Sequence, residues 1–111
     1  MTDLTGRVAV VTGGAGGIGT AIASALVDAG AAVAVWDVDP DAASKTASII
    51  HGTAVAVEAD ITDRSSVEAA ADKTAAELGP IDVLVNNAGI DVIEPFLGSA
   101  EGTWQRIVEV N

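Results

Sequence analysis

Four short runs of valine, isoleucine and alanine punctuate this chain, at residues 7–12, 32–37, 53–59 and 81–86, each bounded by Gly, Asp, Asn or Pro. Their apolar residues are near-continuous rather than strictly alternating, so they read as strands buried on both faces. Helical segments lie between them. Residues 17–29 carry Ile22, Leu26 and Val27 on one stripe and stop before Gly30, which suits a helix C-terminal cap. Residues 40–51 follow the N-cap candidate Asp39, place Pro40 in the first turn and stop before Gly52. Residues 63–78 are alanine-rich, capped by Thr62 or Asp63 and stopped by Gly79-Pro80. A last helix is expected to open near Ser99. Strand, helix, strand with short links makes parallel neighbours joined by right-handed crossovers. The chain is therefore expected to be α/β, a doubly wound parallel sheet of four strands in order 3-2-1-4 with flanking helices.

Length limits what else the chain can hold. With 111 residues and 50% hydrophobic content it buries one core and has no room for a separate substrate domain. No linker, repeat or low-complexity tract divides residues 1–111. Asp28, Asp37 and Asp60 interrupt the apolar pattern, so no stretch is suited to crossing a bilayer, and the first five residues lack a charged leader with an apolar signal core. A cytoplasmic location is expected. With no cysteine, disulfides, thiolate metal sites and thiol nucleophiles are excluded. A net charge of −11 and five scattered basic residues argue against nucleic acid or an anionic membrane as partner. The acidity reads as a solvated surface, and an anionic ligand would have to be held by local backbone dipoles.

The segment Thr12-Gly13-Gly14-Ala15-Gly16-Gly17-Ile18-Gly19 supplies such dipoles. A glycine-rich turn between a strand and a helix presents unpaired N–H groups and the positive end of a helix dipole, where a phosphate can sit. Gly13 permits the tight turn, Gly17 lets the backbone approach a pyrophosphate, and Gly19 lets the helix pack on the strand. Asp37 closes the second strand about 20 residues after the loop, where a carboxylate accepts hydrogen bonds from ribose hydroxyls. Its charge repels a 2′-phosphate. No Lys or Arg stands in the loop, and Val38 follows Asp37, so NAD is favoured over NADP. Asp39 and Asp41 suit turn or helix-start roles.

With Asn86-Asn87-Ala88-Gly89 added, the chain closely resembles the short-chain dehydrogenase/reductase family, a Rossmann-like fold. The resemblance runs from Leu4 to Asn111 on Thr12-Gly13, Gly17-Ile18-Gly19, Asp37, Asp60-Ile61, Asn86-Asn87-Ala88-Gly89 and Asn111. It implies that the loop residues Gly13, Gly16, Gly17, Ile18 and Gly19 bind NAD together with Asp37, and that Asp60 and Ile61 contact the adenine. It further implies that Asn86 braces the sheet, that Asn87, Ala88 and Gly89 line the floor under the cofactor, and that Asn111 is the active-site asparagine supporting a proton relay. The implied activity is NAD-dependent hydride transfer between nicotinamide and a secondary alcohol or ketone, in a parent that is a homo-oligomer. A further similarity, in residues 87–91 and Pro95-Phe96, resembles members acting on cyclic hydroxyacyl-CoA esters or cyclic alcohols.

The family's catalytic Ser and Tyr-x-x-x-Lys pair would lie beyond Asn111. The chain has no tyrosine, and Lys45 and Lys73 fall on helix faces expected in solvent. The 111 residues are thus expected to be an inactive cofactor-binding half of a longer enzyme, with residues 83–85 presenting an apolar sheet edge. A noncatalytic NAD-binding module or sensor is the alternative; the loop glycines and Asn-Asn-Ala-Gly speak against a flavodoxin-like or receiver-type domain. Trp36 and Trp104 read as packing residues and His51 as compensation of a helix C-terminal dipole. Glu58, Asp82, Asp91 and Glu94 lack metal-ligand spacing, so no metal is expected.

Overall fold

The computed structural model describes residues 3–87. The elements run β1 (Val8–Thr12), α1 (Gly17–Asp28), β2 (Ala32–Asp37), α2 (Pro40–Ile49), β3 (Ala54–Glu58), α3 (Arg64–Leu78) and β4 (Val83–Val85). All strand pairs are parallel, in the order β3-β2-β1-β4. Thr12 stands opposite Trp36, and Asp37 opposite Glu58, so β2 and β3 end level and β1 ends one residue short of them.

Alternation along β1 and β2 divides the core in two. Ala9, Val11, Val33 and Val35 face one side, where Ala23 of α1 and Ala43 of α2 pack on them. Val10, Ala34 and Trp36 face the other, against Ala70 of α3. Both central strands are therefore almost wholly buried, as their unbroken apolar runs require. The outer strands are less so. Leu84 pairs with Val10 but is 56% exposed, at the end of the sheet among the described residues.

The helix punctuation has identifiable chemistry. Asp39 caps α2 by accepting from the N–H groups of Asp41 and Ala42, and Asp63 caps α3 by accepting from that of Ser65. Helix α1 ends in the paired pattern of a left-handed glycine cap: Gly30, at φ 104°, donates to Val27, and Ala31 donates to Leu26. Helix α2 stops at Ile49, and Ile50 turns extended to bury itself in the α1-side core. His51 thus lies exposed beyond the helix end rather than in its last turn, which corrects the dipole role expected of it.

Trp36 is buried as expected, but it also has a polar partner. Its indole N–H donates to Thr74 Oγ1 at 3.0 Å, and that hydroxyl donates to Ala70 O at 2.8 Å. Thr74→Val leaves a buried indole N–H without an acceptor and is expected to cost about 1–3 kcal/mol. Thr74→Ser, which keeps the oxygen, should unfold at a denaturant midpoint nearer the parent's; equal midpoints for Thr74→Val and the parent would contradict the bond's importance.

Candidate functional site

At the carboxyl ends of β1, β2 and β4 the chain makes a turn that is held from several directions. Thr12 Oγ1 donates to Val85 O at 3.2 Å and accepts from Asn87 N at 3.2 Å, tying β1 to the end of β4. The Asn87 side-chain amide then reaches Gly13 O at 3.1 Å, an oxygen that also accepts from Gly16 N at 3.2 Å. Gly13 sits at φ 63°, a left-handed conformation that a side chain would strain. Gly14 N donates to Trp36 O at 3.2 Å, which joins the turn to β2.

Helix α1 starts behind this turn without a side-chain cap. Its N-cap is Gly16, no acidic residue stands in its first turn, and residues 12–20 carry no charge at all. Helices α2 and α3 both begin on an aspartate cap. The first-turn N–H groups of α1 therefore present their partial positive charge unanswered by any capping side chain. In a chain of net charge −11, this uncapped end offers a place for an anion.

The glycines divide by what surrounds them. A Cβ on Gly17 would meet nothing within 4 Å, so this glycine faces open space. A Cβ on Gly19 would strike Gly13 O and lie 2.8 Å from both Asn87 Nδ2 and Gly14 Cα. Gly19 was expected to let the helix approach the strand; the atoms nearest its Cβ position belong to the turn that follows β1 and to Asn87. Gly14, which had no separate role in the motif reading, would drive a Cβ to 2.7 Å from Val35 Cγ1. Ile18, at the helix start, is 73% exposed.

Asp37 comes to the same turn. One carboxylate oxygen, Oδ2, accepts from Ala15 N at 3.3 Å and the other, Oδ1, from Asp39 N at 3.0 Å. Val38 beside it is 66% exposed, so the rim next to the carboxylate is apolar. Asp60 lies at the end of β3 in an exposed turn, its Oδ1 accepting from Thr62 N at 3.0 Å and Thr62 Oγ1 at 2.7 Å. Ile61 packs against the α3-side core and, with Trp36, Val67 and Leu84, lines a cleft of about 720 Å³ on that face of the sheet. This cleft reaches Thr12 and Asn86 at the strand ends but does not include the glycine turn.

The structure thus brings Gly13, Gly16, Gly17, Ile18, Gly19, Asp37 and Asn87 around one turn. Ala88, Gly89 and Asn111 lie outside the described residues, as do Trp104 and the helix expected near Ser99. Lys45 and Lys73 are exposed on their helices. Two hydroxyls hold the turn: that of Thr12, which the motif included without a bonding role, and that of Thr20, which sequence reasoning did not single out. The position of Thr12 at the last residue of a strand was a usable signal; Thr20, a hydroxyl in a helix interior, carried none. Among the described residues no cluster of His, Asp and Glu could hold a metal ion, and no helix is long and apolar enough to cross a membrane.

The family described as short chain dehydrogenase matches residues 7–111. The chain is 40% identical over 107 residues to a 2-dehydro-3-deoxy-L-rhamnonate dehydrogenase (NAD(+)) of Sphingomonas sp. strain SKA58, covering 96% of this chain and 43% of that protein. It is 43% identical over 109 residues to a cis-4-hydroxycyclohexanecarboxylate dehydrogenase of Sinomonas cyclohexanicum, covering 95% and 43%. Among solved structures, a hydroxysteroid dehydrogenase from Escherichia coli is similar at a TM-score of 0.86 and 38% identity, over 98% of this chain and 46% of that one. The chain spans less than half the length of each of these three proteins.

Proposed function

This chain belongs to the short-chain dehydrogenase family, and from that premise we propose that it binds NAD as the cofactor-binding half of an oxidoreductase. The observation that carries the reading is the uncapped start of α1 behind the glycine turn, with the Asp37 carboxylate beside it. In this reading Gly13, Gly16, Gly17, Ile18 and Gly19 surround the pyrophosphate, Asp37 accepts from the adenosine ribose, and Asp60 and Ile61 meet the adenine. Asn87 keeps the turn in shape, Ala88 and Gly89 continue the floor, and Asn111 supports the proton relay. Asp37, with no Lys or Arg in the loop, favours NAD over NADP, because a 2′-phosphate beside a carboxylate is repelled.

The bound nicotinamide would supply hydride acceptance or donation. The substrate would be a secondary alcohol or ketone. Relatives named as dehydrogenases, one with NAD(+) in its name and one for cis-4-hydroxycyclohexanecarboxylate, support that class. This chain contains no tyrosine, so we assign proton transfer to residues outside the 111, in a parent that is a homo-oligomer, and the 111 alone to binding without turnover.

Gly17→Val tests the pyrophosphate role directly. Its Cβ meets no protein atom within 4 Å, so the variant is expected to fold, while in this reading the side chain intrudes where the pyrophosphate backs onto the loop. NAD affinity should fall at least about tenfold, equivalent to roughly 1.4 kcal/mol of lost binding. A folded variant that keeps the parent's affinity would reject the role.

A further inference from the structure

One peptide unit of the glycine turn is gripped from both sides. The Gly14 carbonyl accepts from Thr20 Oγ1 at 3.2 Å, and the next amide, that of Ala15, donates to Asp37 Oδ2 at 3.3 Å. These two groups belong to the same trans peptide, so they point in opposite directions and fixing one fixes the other. The Thr20 hydroxyl has a single proton. With that proton given to Gly14, its oxygen is the acceptor for the hydroxyl of Thr46, 3.5 Å away on the buried face of α2.

The path closes on itself. Helix α2, which carries Thr46, begins at Asp39, and Asp39 N donates to the second oxygen of Asp37 at 3.0 Å. The carboxylate is thereby held between the turn and the start of α2, while two threonines hold the turn to the body of the same helix. An aspartate that reads a ribose by hydrogen bonds needs a fixed direction, since misaligned bonds weaken steeply.

We infer that Thr20 and Thr46 are positioning residues that aim the Asp37 carboxylate through the Gly14–Ala15 peptide, and so set the preference for a dinucleotide with a free 2′-hydroxyl. This inference rests on the reading of Asp37 as the ribose acceptor. It places part of cofactor discrimination on two side chains that do not touch the cofactor.

The test uses Thr20→Val, Thr46→Val and the corresponding serine variants in the full chain, with two readouts. The first is the exchange rate of the Ala15 amide in ligand-free protein, followed by NMR. Thr20→Val should speed that exchange about fivefold, the scale of one net hydrogen bond, and Thr46→Val should do so less; the serine variants should restore it. The second is the ratio of NADP to NAD dissociation constants. Thr20→Val should lower it about fivefold, and should leave it unchanged when Asp37 is already alanine. Unchanged Ala15 exchange in Thr20→Val would overturn the inference. So would a selectivity loss of equal size with and without Asp37, because the threonine would then act by another route. A parent chain that binds neither dinucleotide would overturn the ribose reading, and the Ala15 exchange alone would then decide whether the threonines hold the peptide.

Discussion

Gly19→Ala is expected to abolish NAD binding and to destabilise the fold by about 1–3 kcal/mol, the usual cost of forcing a methyl group into filled space. The new Cβ would strike Gly13 O and lie 2.8 Å from Gly14 Cα, both backbone atoms of the turn, and 2.8 Å from Asn87 Nδ2. Two of these are backbone atoms, and the third, the Asn87 side-chain amide, is held by its bond to Gly13 O. Asn87 donates to the same Gly13 oxygen that Gly19 approaches, so displacing either atom also loosens the strap between the turn and β4. A melting curve should show a fall of roughly 4–8 °C per kcal/mol for a domain of this size. Gly17→Ala, made two residues earlier in open space, is the control and should melt with the parent. A Gly19→Ala chain with the parent's melting temperature and NAD affinity would show that the turn adapts more easily than its packing implies.

Asp37→Ala should weaken NAD by about 10- to 100-fold and reduce the preference over NADP by more. Hydrogen bonds to a charged group contribute roughly 1.5–3 kcal/mol, and each 1.4 kcal/mol is about tenfold in affinity. Selectivity changes further because the same substitution removes the charge that opposes a 2′-phosphate. The structure adds a second cost. Asp37 accepts from Ala15 N and Asp39 N, so its loss also frees the turn and the start of α2. Paired titrations with NAD and NADP separate the two effects, since loosening the turn weakens both dinucleotides while losing the carboxylate favours NADP relative to NAD. An unchanged ratio would sink the ribose assignment.

The fold was legible because its signals are local and redundant. Unbroken apolar runs at β1 and β2 report burial on both faces, Asp39-Pro40 and Asp63 announce helix starts, and Gly30 a helix end. The strand order then follows from the doubly wound arrangement. What failed was local as well: a histidine just before a glycine read as the end of α2, but Ile50 leaves the helix for the core two residues before Gly52, because burying its side chain outweighs one more turn. In the site, the glycine spacing and Asp37 were readable from the chain itself. The hydroxyl bonds of Thr12, Thr20 and Thr74 were not. Each joins residues from different elements or satisfies a partner that only the folded chain brings near, and no period or spacing encodes that. Nor could spacing reveal that the Cβ position of Gly19 abuts both the turn and the Asn87 amide.

Calorimetric titration of the folded 111-residue chain with NAD, and with NADP under the same conditions, tests the central claim most directly. The account predicts one site that takes NAD in clear preference to NADP. A folded chain that binds neither, or that prefers NADP, would contradict it.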